Sequence, residues 1–156
     1  MHNHPPAIKA TDAPTRTGSR YPKPHDQPCL SRTKYLLGDV FGLSQFGVNL
    51  VTLEPGAWSS QRHWHEKEDE FIYVISGEIT LVDDAGEHVL TPGMCAGFKA
   101  NTANGHCLKN FTTKPVQYLE MGTRAEAETA WYSDLDMKVV QANQKGVYMK
   151  KDGTPL

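Results

Sequence analysis

From about residue 32 onward the chain is cut into short apolar runs, each only a few residues long, separated by Gly, Pro, Asn and Asp. That texture leaves little room for helix, which needs an apolar stripe sustained over ten or more residues. It suits short antiparallel strands joined by tight turns. Strands are expected over 33–37, 46–53, 71–76, 78–82, 88–90, 94–98, 107–111 and 116–121. Turn chemistry stands between them at Glu54-Pro55-Gly56, Ser76-Gly77, Asp83-Asp84-Ala85-Gly86 and Thr91-Pro92-Gly93. The one stretch that reads as helix is 124–130. Many short strands at this spacing predict an all-β sandwich or barrel. A length of 156 residues with 38% hydrophobic side chains provides for one such core and not two.

The organisation follows from composition. Residues 1–30 carry Pro5, Pro6, Pro14, Pro22, Pro24 and Pro28, which prevent regular helix, so this segment is expected to be an extended arm, loose or wrapped on the body. His2 and His4 lie in it and can at most chelate a metal weakly from a disordered terminus. Residues 31–123 hold the β-barrel. Residues 124–156 form a C-terminal extension expected to pack on the barrel or on a neighbouring subunit.

Several function classes are excluded. The net charge of −2 comes from interspersed acidic and basic residues, so no basic stripe offers itself to nucleic acid. No run approaches the roughly 20 apolar residues of a membrane span. The N-terminus lacks the apolar core of a secretory signal. Cys29, Cys95 and Cys107 are odd in number and not closely paired, which argues against a disulfide framework and for a reducing, cytoplasmic setting. Cys107 beside His106 raises the thought of a nucleophile, but a small strand residue pointing to the other face is the simpler reading.

Chemistry concentrates in one segment. His63 and His65 are two apart, so on a strand their imidazoles project to one face. Glu70 opens the next strand and shares its parity with Ile72 and Val74; a carboxylate among apolar neighbours needs a partner, and a metal ion is a natural one. Two histidines and a carboxylate suit a borderline divalent ion. A third histidine is best supplied by His106, which opens a strand with the parity of Leu108 and Asn110. His25, in the arm, and His88, between Glu87 and Val89, read as solvated. Parity alone nominates Gln61, Ile72, Val74, Leu108 and Asn110 as pocket residues. Tyr73 and Phe98 are candidates for acid or gate but fit core packing better, and Trp58 and Trp64 suit barrel edges or a subunit contact.

The wider spacing resembles the cupin superfamily. Gly56, six residues, His63-Trp64-His65, four residues, Glu70, six residues and Gly77 match the first cupin motif with one residue extra in the first gap. Gly93, five residues, Lys99-Ala100-Asn101, four residues, His106, three residues and Asn110 follow the second motif, with a longer loop and without its usual Pro-x-Gly. The likeness covers roughly 33–122, and Gly47-Val48-Asn49-Leu50 and Asn104-Gly105-His106 are similar to small single-domain bacterial cupins. The resemblance implies a jelly-roll-like barrel of two antiparallel sheets. It also implies one divalent metal ion per chain, iron, manganese, nickel, cobalt or zinc, held by His63, His65, Glu70 and His106 with a position left for water or substrate.

Such a site attracts a small polar or anionic ligand. Two readings follow: a metal-dependent enzyme of dioxygenase, isomerase or lyase type, or a non-catalytic cupin whose metal orients a sensed metabolite; a barrel with a degenerate site is the third. No catalytic residue is named at this level. Because the imidazoles must be neutral to bind, metal occupancy is expected to fall as pH drops through roughly 6. Cupins commonly pair through sheet edges, so a homodimer is expected.

Overall fold

The computed structural model describes residues 4–143 and 145–156; His2 and its chelation reading lie outside them. Thirteen strands follow in chain order: β1 (Thr15–Thr17), β2 (Arg32–Tyr35), β3 (Phe46–Leu53), β4 (His63–His65), β5 (Glu70–Ser76), β6 (Ile79–Asp83), β7 (Gly86–Leu90), β8 (Cys95–Phe98), β9 (Cys107–Lys109), β10 (Val116–Thr123), β11 (Ala127–Tyr132), β12 (Lys138–Ala142) and β13 (Lys145–Met149). One helical turn, α1 (Leu37–Val40), lies between β2 and β3. Each run expected to be extended overlaps a strand.

The strands build two facing walls. One is a six-stranded antiparallel sheet in the order β1-β2-β3-β10-β5-β8. The other consists of a three-stranded sheet, β7-β6-β9, and a four-stranded one, β13-β12-β11-β4. These two are stitched together by an antiparallel bridge between His63 and His106, whose backbones exchange hydrogen bonds of 3.1 and 2.9 Å. The result is an all-β, jelly-roll-like sandwich of antiparallel sheets.

Alternation along the strands decides which side chains enter it. In the larger wall the cross-strand register aligns Arg32 with Leu53, Lys34 with Val51, Val51 with Tyr118 and Tyr118 with Val74. One inward face therefore carries both the apolar core and a row of polar groups. Val51, Leu53, Ile72, Val74, Leu81, Leu108, Val116 and Tyr118 are buried in one cluster. Each fully buried Val, Leu or Ile contributes about 1.5–3 kcal/mol, so this cluster holds the walls together. The opposite parity of β5 puts Phe71, Tyr73 and Ile75 on the outer face, each exposed. Tyr73 is thus neither a gate nor a core residue.

The expected helix over 124–130 is corrected: Ala127–Tyr132 is strand β11, paired with β4 and β12. Ala and Glu favour helix locally. Pairing with β4 buries alternate residues Glu128, Ala130 and Tyr132, and that period-two burial wins over propensity. Residues 124–156 thereby supply three strands of the wall that contains β4. The segment before β2 supplies β1 at the far edge of the six-stranded sheet. Among the described residues no helix is long and apolar enough to cross a membrane.

Candidate metal centre

Three elements bring the four residues together. β4 carries His63 and His65, β5 begins at Glu70, and His106 sits on the bridge that pairs it with His63. Gly105 makes that bridge possible: a Cβ there would overlap the Ser133 hydroxyl and approach Ser133 Cβ to 3.0 Å. After β5, Gly77 turns the chain at φ 78°.

Glu70 Oε2 is the meeting point. It lies 2.8 Å from His106 Nε2, 3.5 Å from His65 Nε2 and 3.6 Å from His63 Nε2. Donor atoms that share one ion at about 2.0–2.2 Å stand about 3 Å from one another, so these separations suit a common coordination sphere. The donor atoms of His63, Glu70 and His106 all lie within 4.8 Å of one another. His65 touches this group through Nε2, while its Nδ1 faces a second acidic pair, Glu128 at 3.8 Å and Glu68 at 3.9 Å.

The surroundings prepare the rings. His63 Nδ1 donates to the Gln61 carbonyl at 2.9 Å, which leaves the lone pair on Nε2. The ring of His106 is buried against Phe98 in a face-to-face stack. Burial pulls the His63 pKa down to about 3, with the neighbouring imidazoles adding to the fall against the pull of Glu70. Burial also opposes charge on His65, but Glu128 and Glu70, with Glu68 behind them, overcome it and lift its pKa to about 10. Burial would raise Glu70, yet His106 and His65 hold its carboxyl well below the usual range. A site of three imidazoles and one ionised carboxylate, with one ring already turned by its outer hydrogen bond, fits a borderline divalent ion.

Two cavities flank the group. One of about 160 Å³ runs inward past His63, Glu70 and His106 to Lys34, Tyr118 and Glu120. Another, of about 220 Å³, opens past His65, Glu68 and Phe98. Ile72 and Leu108 line the first, as parity suggested. Val74 and Asn110 do not: Val74 is in the core, and fully buried Asn110 holds the following turn by donating to the Leu53 and Lys114 carbonyls at 3.0 and 2.8 Å. The Gln61 side chain is also turned away, donating to the His25 carbonyl at 2.8 Å. His88 is exposed and pairs with Asp83 at 3.1 Å. Cys107 is buried with its thiol pushed up to about 11, which disarms it as a nucleophile. Lys109 caps the Trp58 ring at 3.6 Å, and Trp64 stacks on Trp131.

Sequence reasoning passed over Glu128, Arg32, Lys34, Tyr118 and Glu120. The last four share the inward parity of Leu53 and Val51 across β2, β3 and β10, so alternation carried a signal for them. Glu128 had none, because its burial depends on the pairing of β11 with β4.

The cupin domain model matches residues 49–122. A crystal structure of a sugar phosphate isomerase from a cupin superfamily, from Silicibacter pomeroyi, is 48% identical, with a TM-score of 0.93 and coverage of 97% of this chain and 96% of that one. A protein from Acidithiobacillus ferrooxidans, described provisionally as a sugar phosphate isomerase, is 28% identical, with a TM-score of 0.73 and 80% of each chain covered. The polyketide cyclase RemF from Streptomyces resistomycificus shares the fold alone, at 20% identity, a TM-score of 0.61 and coverage of 75% and 78%. Among curated proteins none matches.

Proposed function

The chain belongs to the cupin superfamily, and from that premise we propose that it is a metal-dependent isomerase acting on a phosphorylated sugar. The observation that carries the reading is the meeting of three imidazole Nε2 atoms on Glu70 Oε2 beside a cavity inside the sandwich. Kinship over nearly the whole length with the Silicibacter pomeroyi protein supports the substrate class. A divalent ion held by His63, His65, Glu70 and His106 would act as a Lewis acid on a sugar oxygen.

Aldose–ketose isomerisation leaves the atom count unchanged. One proton leaves the carbon beside the carbonyl and is returned to the former carbonyl carbon, while a second passes between the two oxygens. Glu120 is the group we assign to the carbon-bound proton. Its carboxylate lines the same cavity, accepts from Asn49 Nδ2 at 2.8 Å and is paired with Lys34. Glu70 is engaged with the imidazoles, which leaves Glu120 as the other carboxylate in that cavity. Ile72, Phe98 and Leu108 give the same cavity an apolar side that limits water around the reacting carbons.

The test is proton NMR of aldose and ketose phosphates incubated in D₂O with metal-loaded protein. Interconversion, lost on chelation and restored by adding the metal back, is the expected result. Thermal stabilisation by a sugar phosphate with no product from any of them would leave a sensing cupin instead.

A further inference from the structure

The three arginines of the N-terminal third are arranged unlike the two that follow them, whereas Lys34 among them is paired with Glu120. Arg62 pairs with Asp84 and Asp134, and Arg124 with Asp39. Among the described residues Arg16, Arg20 and Arg32 form no ion pair with any carboxylate. These three and Lys34 line one cavity of about 300 Å³, together with Ser19, Tyr21, Gln141 and Tyr148, and no Asp or Glu contributes to that lining. Charge crowding is visible in Arg16, whose pKa is lowered by burial and then by Arg20 and Arg32, a fall that Glu120 and Asp39 only partly oppose.

This wall is continuous with the candidate metal centre. Arg20 lines a further cavity of about 280 Å³ with His63 and His65. Arg32 and Lys34 line the inner cavity with His63, Glu70 and His106. Arg32 is only 7% exposed. Its two Nη groups donate to the carbonyls of Ser59 and Gly18, which fixes the guanidinium plane. Its Nε finds no partner in the protein, nor does the hydroxyl of Tyr118 on the same cavity. A buried guanidinium with an unused donor and no carboxylate paired to it is costly unless an anion completes it. The fork of an arginine matches the oxygens of a phosphate, and several arginines around one dianion are the usual chemistry of such a subsite.

We propose that Arg16, Arg20 and Arg32, with Lys34 beside them, form a subsite for a phosphate monoester dianion whose sugar end reaches the candidate metal centre. The sugar half of that statement rests on the isomerase reading; the anion subsite stands on the arginines alone.

The probe is inorganic phosphate added to the full chain stripped of metal, with binding followed by calorimetry and ³¹P NMR. One saturable site per chain is expected. The double variant Arg16→Gln/Arg20→Gln changes side chains that are at least partly exposed, so it keeps the fold, as circular dichroism checks. It should weaken phosphate binding about tenfold or more, the scale of a lost charge-assisted hydrogen bond. Lys114→Gln, an exposed charge elsewhere, should leave binding unchanged. Unaltered affinity in the double variant, or phosphate binding seen only after metal is added, overturns the subsite.

Kinetics then separate the two readings. With metal-loaded protein the KM for a sugar phosphate should rise about tenfold or more in the double variant. Turnover by the wild type with KM unmoved in the variant discards the subsite and keeps the isomerase. Phosphate binding that depends on the arginines, with no sugar phosphate turned over, keeps the subsite and discards the isomerase.

Discussion

The ring of Phe98 lies flat on that of His106, centroids 3.5 Å apart and planes 1° from parallel. β8 thereby holds in place a histidine that comes from a loop on the other wall. So direct an overlap covers one face of the imidazole and restricts its rotation. Phe98→Leu keeps apolar bulk and removes the stack. It is expected to weaken metal binding by up to about tenfold with the fold intact, as a chelator-competition titration would read. Unchanged affinity would show that the bridge to His63 suffices to position His106.

His63 and His88 make an internal control. The first has its Nε2 at 3.6 Å from Glu70 Oε2, and the second is exposed on β7 of the same wall, away from the cluster. His63→Ala should lose most of the metal and His88→Ala none, measured by elemental analysis of protein purified in parallel. Equal loss from both would mean that the ion, if any, sits elsewhere.

These contrasts show what alternation makes readable. The parity of His63 with His65, and of Glu70 with Ile72, directs side chains to one face before any coordinates are known. His106 follows from the turn before it. The same rule applied to β2 and β10 would have turned Arg32, Lys34, Tyr118 and Glu120 inward, but short runs that mix charge with apolar residues look like exposed edges. β11 was illegible for a different reason. Ala-Glu-Ala-Glu-Thr-Ala prefers helix in isolation, and only pairing with β4, over sixty positions earlier, makes it a strand and buries Glu128.

Protonation of His65 shapes the pH dependence. In the metal-free protein His65 keeps its proton through neutrality, with its pKa raised from 6.5 to about 10, while His63 stays neutral. An ion that takes the His65 lone pair must expel that proton. Loading at about pH 8 is therefore expected to release about one proton per ion, and affinity should climb roughly tenfold per pH unit toward 10 instead of levelling off near 6.5. The sign for stability is opposite. A raised pKa stabilises the metal-free fold fully below 6.5, and that contribution is lost as pH rises toward about 10. Its melting temperature should then include a fall across that window. Calorimetry in buffers of different ionisation enthalpy counts the protons; a count of zero at pH 8 contradicts the charged His65.

Glu128 leads the carboxylates that keep His65 charged, ahead of Glu70 and Glu68. Only 2% exposed, it accepts the backbone N–H groups of Glu66 and Lys67 at 2.8 Å each while facing His65 Nδ1. Glu128→Gln removes the charge and leaves one of those amides without a good acceptor, at a cost of about 1–3 kcal/mol. It should also lower the His65 pKa, so fewer protons leave when metal binds. A melting curve reads the first effect and proton release the second. Lost stability with proton release unmoved would confine Glu128 to holding the β4–β5 connection.

Glu120 carries the catalytic assignment and its variant needs a paired readout, because Lys34 loses its partner at the same time. Burial already lowers the Lys34 pKa, and Glu120 opposes that fall. With Gln at 120 the amine is expected to go neutral instead of unfolding the sheet, which a melting curve checks. Glu120→Gln should then retain metal and reduce kcat about 10²–10⁴-fold, the range for removal of a general acid–base group. Deuterium exchange at the substrate carbon should fall in parallel. Glu120→Asp, which keeps the carboxylate at a shorter reach, should recover part of the loss. Full exchange in Glu120→Gln would assign the proton transfer to another group of the same cavity.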